Sequence, residues 1–307
     1  MAKKKMNPSP LRRTNFTLGR RVVNRLDLYE LCVQDPAMES AFVRAVHGGN
    51  PTTLGEDFCG PASVARAWCG LSPRHRAVAI DRDAGPLAHA RERAKEHDAL
   101  AESPIGPRLV LKRGDVLRVS ATPSVMVDAI AAFNFAVCEL HERRDLVRYL
   151  NGALRRLRPR GVLAADLYAG TEQFSVGTYR KSIRTPDGVV KYSWEQRQAD
   201  PFSARVVNAI HFELPPSGTV RGPTRLIDAF VYHWRLWSIA ELRDAMHEAG
   251  FASTQVHTSY GDGLDTEGNL YVSPVATDRE GADSRNLESN MVAYVVGRKA
   301  TGRRLRA

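Results

Sequence analysis

Nowhere in the 307 residues does an apolar run approach the roughly 20 residues needed to cross a bilayer, and the N-terminus lacks the apolar centre of a secretory signal. A cytoplasmic protein with no membrane partner is the expectation. Cysteine is scarce too. The four present, Cys32, Cys59, Cys69 and Cys138, are scattered with no C-x-x-C pair, so neither a disulfide framework nor a metal site is expected. Acidic residues are missing from both ends of the chain. Residues 1–26 carry eight Lys or Arg, residues 298–307 carry five, and neither segment has an Asp or Glu, so the formal charge of +10 lives in two tails. Without the tails the body is slightly acidic. That argues against a wide basic groove and leaves the tails as the segments that would meet RNA or another anion.

What is present is an alternation. Leu26 to Gly49 reads as two helical pieces broken at Pro36, the second stopped by Gly48 and Gly49. From Thr53 strand and helix signals take turns: "TLGEDF", a helix with Val64 and Trp68 on one face, "RAVAID", "AGPLAHARERAKEH", "RLVLKRGDV" and "VDAIAAFNF". A helix with Leu146, Val147, Leu150, Leu154 and Leu157 on one stripe follows, and then "GVLAADLY". Apolar strands separated by amphipathic helices predict a parallel sheet covered on both faces. After Tyr168 the rhythm changes. Residues 188–198, 205–214 and 224–237 show no helical stripe and read as an antiparallel insert. A helix returns at "SIAELRDAMHEAGF", with Ser238 and Glu241 as a capping box and Gly250 at its end. Two strands joined without a helix finish the chain and should pair antiparallel. The expected organisation is a basic tail over residues 1–25, a helical lid over 26–50, a core over 51–168, an antiparallel β insert over 169–236, the rest of the core over 237–299 and a basic tail over 300–307.

In an open parallel sheet the ligand sits at the carboxyl ends of the strands, near the point where strand order reverses. Those ends read Glu56 and Asp57 before Gly60, then Asp81, then Gly114 and Asp115, then Phe133, Asn134 and Phe135. Three successive ends carry acids. A pyrophosphate would be repelled there, and "EDFCGPAS" has one glycine where a dinucleotide fingerprint wants three. A ligand with hydroxyls, an amino group and a fixed cation fits better, because carboxylates accept from hydroxyls and ammonium groups and negative potential favours a cation.

With those acids in that order, the chain resembles the Rossmann-like class I S-adenosylmethionine-dependent methyltransferases from about Thr53 to Arg298. The segments "EDFCG", "AAFNF" and "YHWRLWSIAEL" resemble a little-characterised branch of them. The resemblance implies a three-layer α/β/α sandwich, with a mostly parallel seven-stranded sheet, an antiparallel last strand and an antiparallel β insert after strand five. It implies S-adenosylmethionine as cofactor. Carried over residue by residue, the family's first acid, near the methionine amino group, falls on Glu56, and its turn glycines fall on Phe58, Gly60 and Ala62. Two of those glycines are replaced, and the Phe58 ring must point away from the cofactor or pack against it. Asp81, with Arg82 beside it, would accept from the ribose hydroxyls. Asp115 would read the adenine amino group, with the Val116 N–H as donor to the ring, and Asn134 would face the methyl group and the substrate. Asp57, one step beyond Glu56, points to the opposite face and would orient the loop or a neighbouring basic side chain.

The insert should fold over the site as a substrate cap. Its candidate substrate contacts are Tyr179, Trp194, Glu195, His211, Tyr232, His233, Trp234 and Arg235, with Phe135 and Tyr168 at the strand ends. Alternation puts Tyr232 and Trp234 on one face and His233 and Arg235 on the other. His211 or Tyr232 is the candidate to assist deprotonation. Plainer readings stand beside these: Asp81 as a helix cap, Trp194, Trp234 and Trp237 as the insert's core, and His211 as a satisfied structural histidine. The expected function is methyl transfer to N or O of a small-molecule acceptor. The alternatives are an RNA or protein methyltransferase using the basic tails, and a nicotinamide-dependent oxidoreductase or a non-catalytic nucleotide-binding protein. A homodimer through paired inserts is left open, and the loop from Thr258 to Glu288 is long enough to close over the site.

Overall fold

The computed structural model describes residues 15–19, 21–119, 125–216, 222–261, 263–264, 266, 269–275 and 291–301. The expectations for the remainder of the tails and for most of the loop after residue 275 lie outside the described residues.

The chain begins with a hairpin, β1 (Asn15–Leu18) and β2 (Arg21–Asn24), which corrects the basic tail expected over residues 1–25. Phe16, Leu18 and Val23 pack into the insert's core, and Arg21 pairs with Asp187 at 3.0 Å. An apolar face recurring every second residue outweighs the basic charge around it. Asn24 and Asp27 form a capping box that starts α1 (Arg25–Cys32). Asp35 accepts from the Met38 N–H to start α2 (Pro36–His47), and Gly48 ends it in the left-handed conformation.

Strand and helix then alternate: β3 (Thr53–Asp57), α3 (Ser63–Gly70), β4 (Arg76–Asp81), α4 (Ala84–Asp98), β5 (Leu109–Arg113), the short α5 (Val116–Val119), β6 (Val127–Ala132), α6 (Arg143–Arg156) and β7 (Leu157–Ala169). The insert has four strands, β8 (Gly177–Thr185), β9 (Gly188–Asp200), β10 (Arg205–Leu214) and β11 (Thr224–Arg235), in a separate antiparallel sheet ordered β11-β10-β9-β8. The sequence reading missed β8. It is an exposed edge strand whose Arg180, Lys181 and Arg184 hide any alternation and discourage pairing with another chain. The chain continues with α7 (Ile239–Glu248), β12 (Ser253–His257), a small hairpin of β13 (Gly263–Leu264) and β14 (Leu270–Tyr271), and β15 (Met291–Arg298).

The main sheet has seven strands in the order β12-β15-β7-β6-β3-β4-β5. Strands β3 to β7 are mutually parallel, and β15 lies antiparallel between β7 and β12. One apolar layer holds Phe42, Val64, Trp68 and Leu87 from α2, α3 and α4. The other holds Leu146, Leu150, Leu242 and Met246 from α6 and α7. The fold is thus the expected α/β/α sandwich. Strand order reverses between β3 and β6, so the loops after Asp57 and Ala132 part there and leave a crevice. Among the described residues no helix is long and apolar enough to cross a membrane.

Candidate active site

At the end of β3 the period of two sends neighbouring carboxylates apart. Asp57 faces α6, where Arg156 Nη1 donates to both of its oxygens at 2.8 Å and the Tyr149 hydroxyl donates to Oδ2 at 3.1 Å. Both partners are buried, and a Cβ on Gly55 would come within 3.0 Å of Arg156 Nη2. Glu56 faces α3 and accepts from the Ala65 N–H at 2.7 Å. Burial outweighs that bond and pushes its carboxyl up to about 8.

The turn that follows keeps a glycine path with one glycine. Phe58, Gly60 and Ala62 have φ of 54°, 51° and 54°, the left-handed region, at the three positions where the resemblance puts turn glycines. Such a conformation costs a side-chain-bearing residue about 1–2 kcal/mol, so surrounding bonds must hold it. The Gly60 N–H donates to Asp81 Oδ2 at 2.8 Å, Ala62 N–H to the Cys59 carbonyl at 2.8 Å and Cys59 N–H to the Ile80 carbonyl at 3.0 Å. The Phe58 ring packs edge-on against Tyr149, with centroids 5.3 Å apart.

This turn borders a cavity of about 630 Å³ at the carboxyl ends of the strands. Glu56, Phe58, Gly60, Asp81, Arg82, Asp115, Val116 and Asn134 all line it, whereas Ala62 is buried and does not. Asp81 also accepts from the Asp83 N–H at 2.8 Å, and burial still raises its carboxyl. Asp115 accepts from the Leu117 N–H at 2.9 Å. Arg82 pairs with Glu139 at 3.2 Å, and the Trp234 indole N–H donates to the other Glu139 oxygen at 2.9 Å, which ties the β4 end to the insert.

A second cavity, of about 850 Å³, lies under the insert. Phe135, Tyr168, Tyr179 and Trp194 line it as expected, and Asp166, Gln196, Tyr260 and Tyr294 join them. Tyr29, Asn134, Tyr232 and Trp234 line both cavities and form their common wall. Asn134 and Phe135 are left-handed as well, with φ of 62° and 61°, and the buried Asp166 explains how. Its two oxygens accept the Asn134 N–H at 2.9 Å and the Phe135 N–H at 2.7 Å, while burial pushes it up to about 7. The Tyr168 hydroxyl donates to Gln196 at 2.6 Å, and Gln196 donates to the carbonyls of Gln173 and Ser175, which fixes the link into the insert.

Behind this cavity sits Glu39 of α2, only 2% exposed. Tyr260 donates to it at 3.2 Å, and burial with the negative Asp166 and Glu56 pushes it up to about 8. Glu39, Glu56 and Asp166 therefore hold protons in the folded chain at a pH where the unfolded chain has lost them. Their contribution to stability is complete below the ordinary carboxylate range and is lost as pH rises through about 7 to 8. The denaturation midpoint should fall between about pH 5.5 and 8.5, and Glu39→Gln should remove part of that slope. An unchanged slope in the variant would mean Glu39 is ionised throughout.

The expectations for His211, Arg235 and Tyr232 are corrected. His211 lies on the outer face of the insert, where Nε2 meets Glu195 at 3.1 Å and Nδ1 accepts from the Asp228 N–H at 3.0 Å. Arg235 lays its guanidinium 3.8 Å from the centroid of Trp237 and donates to the His141 carbonyl at 3.1 Å. Neither lines either cavity. Tyr232 does line both, but burial raises its phenol far above the ordinary value, so it can donate a hydrogen bond and cannot serve as a base. Asp166, Glu39 and Arg156 were missed. A carboxylate inside the apolar run "GVLAADLY" was the one available signal for Asp166, whereas Arg156 is hidden among arginines.

No family model and no curated protein matches this chain. Solved structures do share its fold. DesVI of Streptomyces venezuelae is 16% identical with a TM-score of 0.64, over 91% of this chain and 99% of that one. The sugar N-methyltransferase KedS8 from a Streptoalloteichus species is 15% identical with a TM-score of 0.58, over 97% and 100%. An S-adenosylmethionine-dependent methyltransferase from Clostridium acetobutylicum is 16% identical with a TM-score of 0.57, over 90% and 98%. At these identities the likeness is one of fold.

Proposed function

We propose that the chain transfers a methyl group from S-adenosylmethionine to a nitrogen or oxygen of a small-molecule acceptor, within the branch that its EDFCG loop resembles. The observation that carries this reading is the common wall: an acid-edged cavity at the strand ends and an aromatic cavity under the insert share Asn134, Tyr232 and Trp234. A donor in the first and an acceptor in the second would be neighbours. The two cavities have the size of small-molecule sites. The fold likeness to a sugar N-methyltransferase supports the same class of acceptor.

The residues present fit the cofactor. The turn follows a glycine path, and a Cβ at Gly60 would meet nothing within 4 Å among the described residues, which leaves space beside the backbone. Asp81 would accept from the ribose hydroxyls, Asp115 and the Val116 N–H would take the adenine, and Glu56 would stand near the amino end. When bound, S-adenosylmethionine supplies an activated methyl group on a sulfonium. What remains for the protein is alignment, exclusion of water and custody of a proton. Phe135, Tyr168, Trp194 and Trp234 make the water-excluding wall, and Tyr232 orients the acceptor through its hydroxyl. Asp166 lines the acceptor cavity with a carboxyl near 7, placed to take the proton that the acceptor gives up.

The test is thermal unfolding with S-adenosylmethionine, S-adenosylhomocysteine, NAD and NADP in turn. A ligand at about 100 times its dissociation constant adds about 2.7 kcal/mol. Stabilisation by the first two alone is expected. Stabilisation by a nicotinamide cofactor alone, or by none of the four, would overturn the assignment.

A further inference from the structure

The charge of the body is close to balanced in sum, but it is sorted by end. Asp81, Asp83 and Asp115 gather at the carboxyl ends of the strands. The amino ends carry a row of cations: Arg74 and Arg76 where α3 hands over to β4, Arg158 and Arg160 at the start of β7, and Arg298 and Lys299 where the antiparallel β15 arrives. Among the described residues the one ion pair in this row joins Arg158 to Asp128 at 2.8 Å.

The half-buried end of the row, Arg298 and Lys299, is seated on carbonyls. Arg298 donates to the carbonyls of Val46, His47 and Arg160, and Lys299 Nζ donates to those of Leu154 and Leu157 at 2.8 and 2.6 Å. Carbonyls satisfy the donors without cancelling the charge. Arg298, Lys299, Arg160 and His47 surround a recess of about 450 Å³, and His47 Nδ1 is buried there with no hydrogen-bond partner among the described residues. From Thr301 the sequence runs on into Arg303, Arg304 and Arg306. From β15 to β4 the cations span four strand steps, or about 19 Å at roughly 4.8 Å per step, with β15 and β7 supplying one group, the turn before β4 the other, and β6 and β3 between them none.

We propose that the amino end of the sheet is a docking surface for the phosphodiester backbone of a nucleic acid. A compact anion needs only the recess, whereas a row of this length offers successive positions to a linear polyanion. Arg74, Arg76 and Arg160 are exposed and in no ion pair among the described residues, and the planar fork of an arginine matches phosphate oxygens two at a time. Contacts to backbone phosphate position a strand without reading its sequence, so binding is sequence-independent and steeply salt-dependent. The surface lies at the opposite end of the sheet from both cavities. A docked strand is therefore not the methyl acceptor, and the inference stands or falls apart from the proposed chemistry.

The full-length protein should bind a fluorescein-labelled single-stranded RNA of about 20 nucleotides, read by anisotropy, and weaken about a hundredfold between about 50 and 200 mM salt. Duplex DNA should bind on the same surface. The variant Arg74→Glu, Arg76→Glu, Arg160→Glu should lose more than about tenfold at the lower salt, with the salt exponent reduced by about 2. Where charge reversal prevents folding, Arg74→Gln, Arg76→Gln, Arg160→Gln should show the same order with a smaller loss. The proposal is overturned by absence of binding at the lower salt, or by variants that bind like the parent chain, which would give the binding to the tails. It is also overturned if vesicles containing phosphatidylserine are bound and neither nucleic acid is.

Discussion

Arg156→Met is expected to lower the free energy of unfolding by about 3–5 kcal/mol, because breaking a buried ion pair leaves an uncompensated charge. The side chains of Arg156 and Asp57 are 4% and 0% exposed, and the guanidinium donates to both carboxylate oxygens. Its removal leaves Asp57 with the Tyr149 hydroxyl, a partner that cannot neutralise it. The pair also joins the end of α6 to the last residue of β3, immediately before the left-handed turn, so the loss should reach the cavity as well. The variant Asp57→Asn, Arg156→Met should recover a large part of the loss, since no unpaired charge remains. Denaturant titrations of the two variants and the parent chain decide it. A loss below about 1 kcal/mol in the single variant would show that Asp57 is held by other means.

Asp81→Ala should weaken S-adenosylhomocysteine, measured by titration calorimetry, by a factor of about 100 or more. Hydrogen bonds to a charged group are worth about 1.5–3 kcal/mol each, and two ribose hydroxyls are assigned to this carboxylate. A second loss adds to the first. Asp81 accepts from the N–H groups of Gly60 and Asp83, so its removal unties the turn of β3 from the end of β4. Asp81→Asn retains one acceptor oxygen and should fall between the two. Affinity within about threefold of the parent chain in a folded Asp81→Ala would move the ribose site elsewhere in the cavity.

The legible part of this protein was the part written in local periods. Alternating apolar strands and striped helices determined the parallel sheet and its two layers, and the capping box of Ser238 and Glu241 marked the start of α7. The acids that close three successive strands marked the edge of the first cavity, and a period of two was enough to send Asp57 away from Glu56 towards a basic side chain. That the basic side chain is Arg156 was not readable, because 99 residues separate the two and several arginines compete for the role. A separation of 32 and 31 residues hid Asp166 in the same way, since its bonds to Asn134 and Phe135 join the ends of two neighbouring strands. A motif of glycines is a proxy for backbone conformation. Tertiary bonds from Asp81 and Ile80 can impose that conformation on Phe58 and Ala62, and the proxy is then lost while the path is kept. His211 and Arg235 show the converse, since residue types suited to chemistry lie outside the cavities when strand pairing turns them towards Glu195 and Trp237. Neighbours along the chain were enough for the elements of the sheet and its two layers and for the acidic edge, but not for the β1–β2 hairpin or for β8, whose cations mask their alternation. Only the tertiary structure decided which side chains meet at the common wall, and how the charge is divided between the two ends of the sheet, because both depend on pairings between residues far apart in sequence.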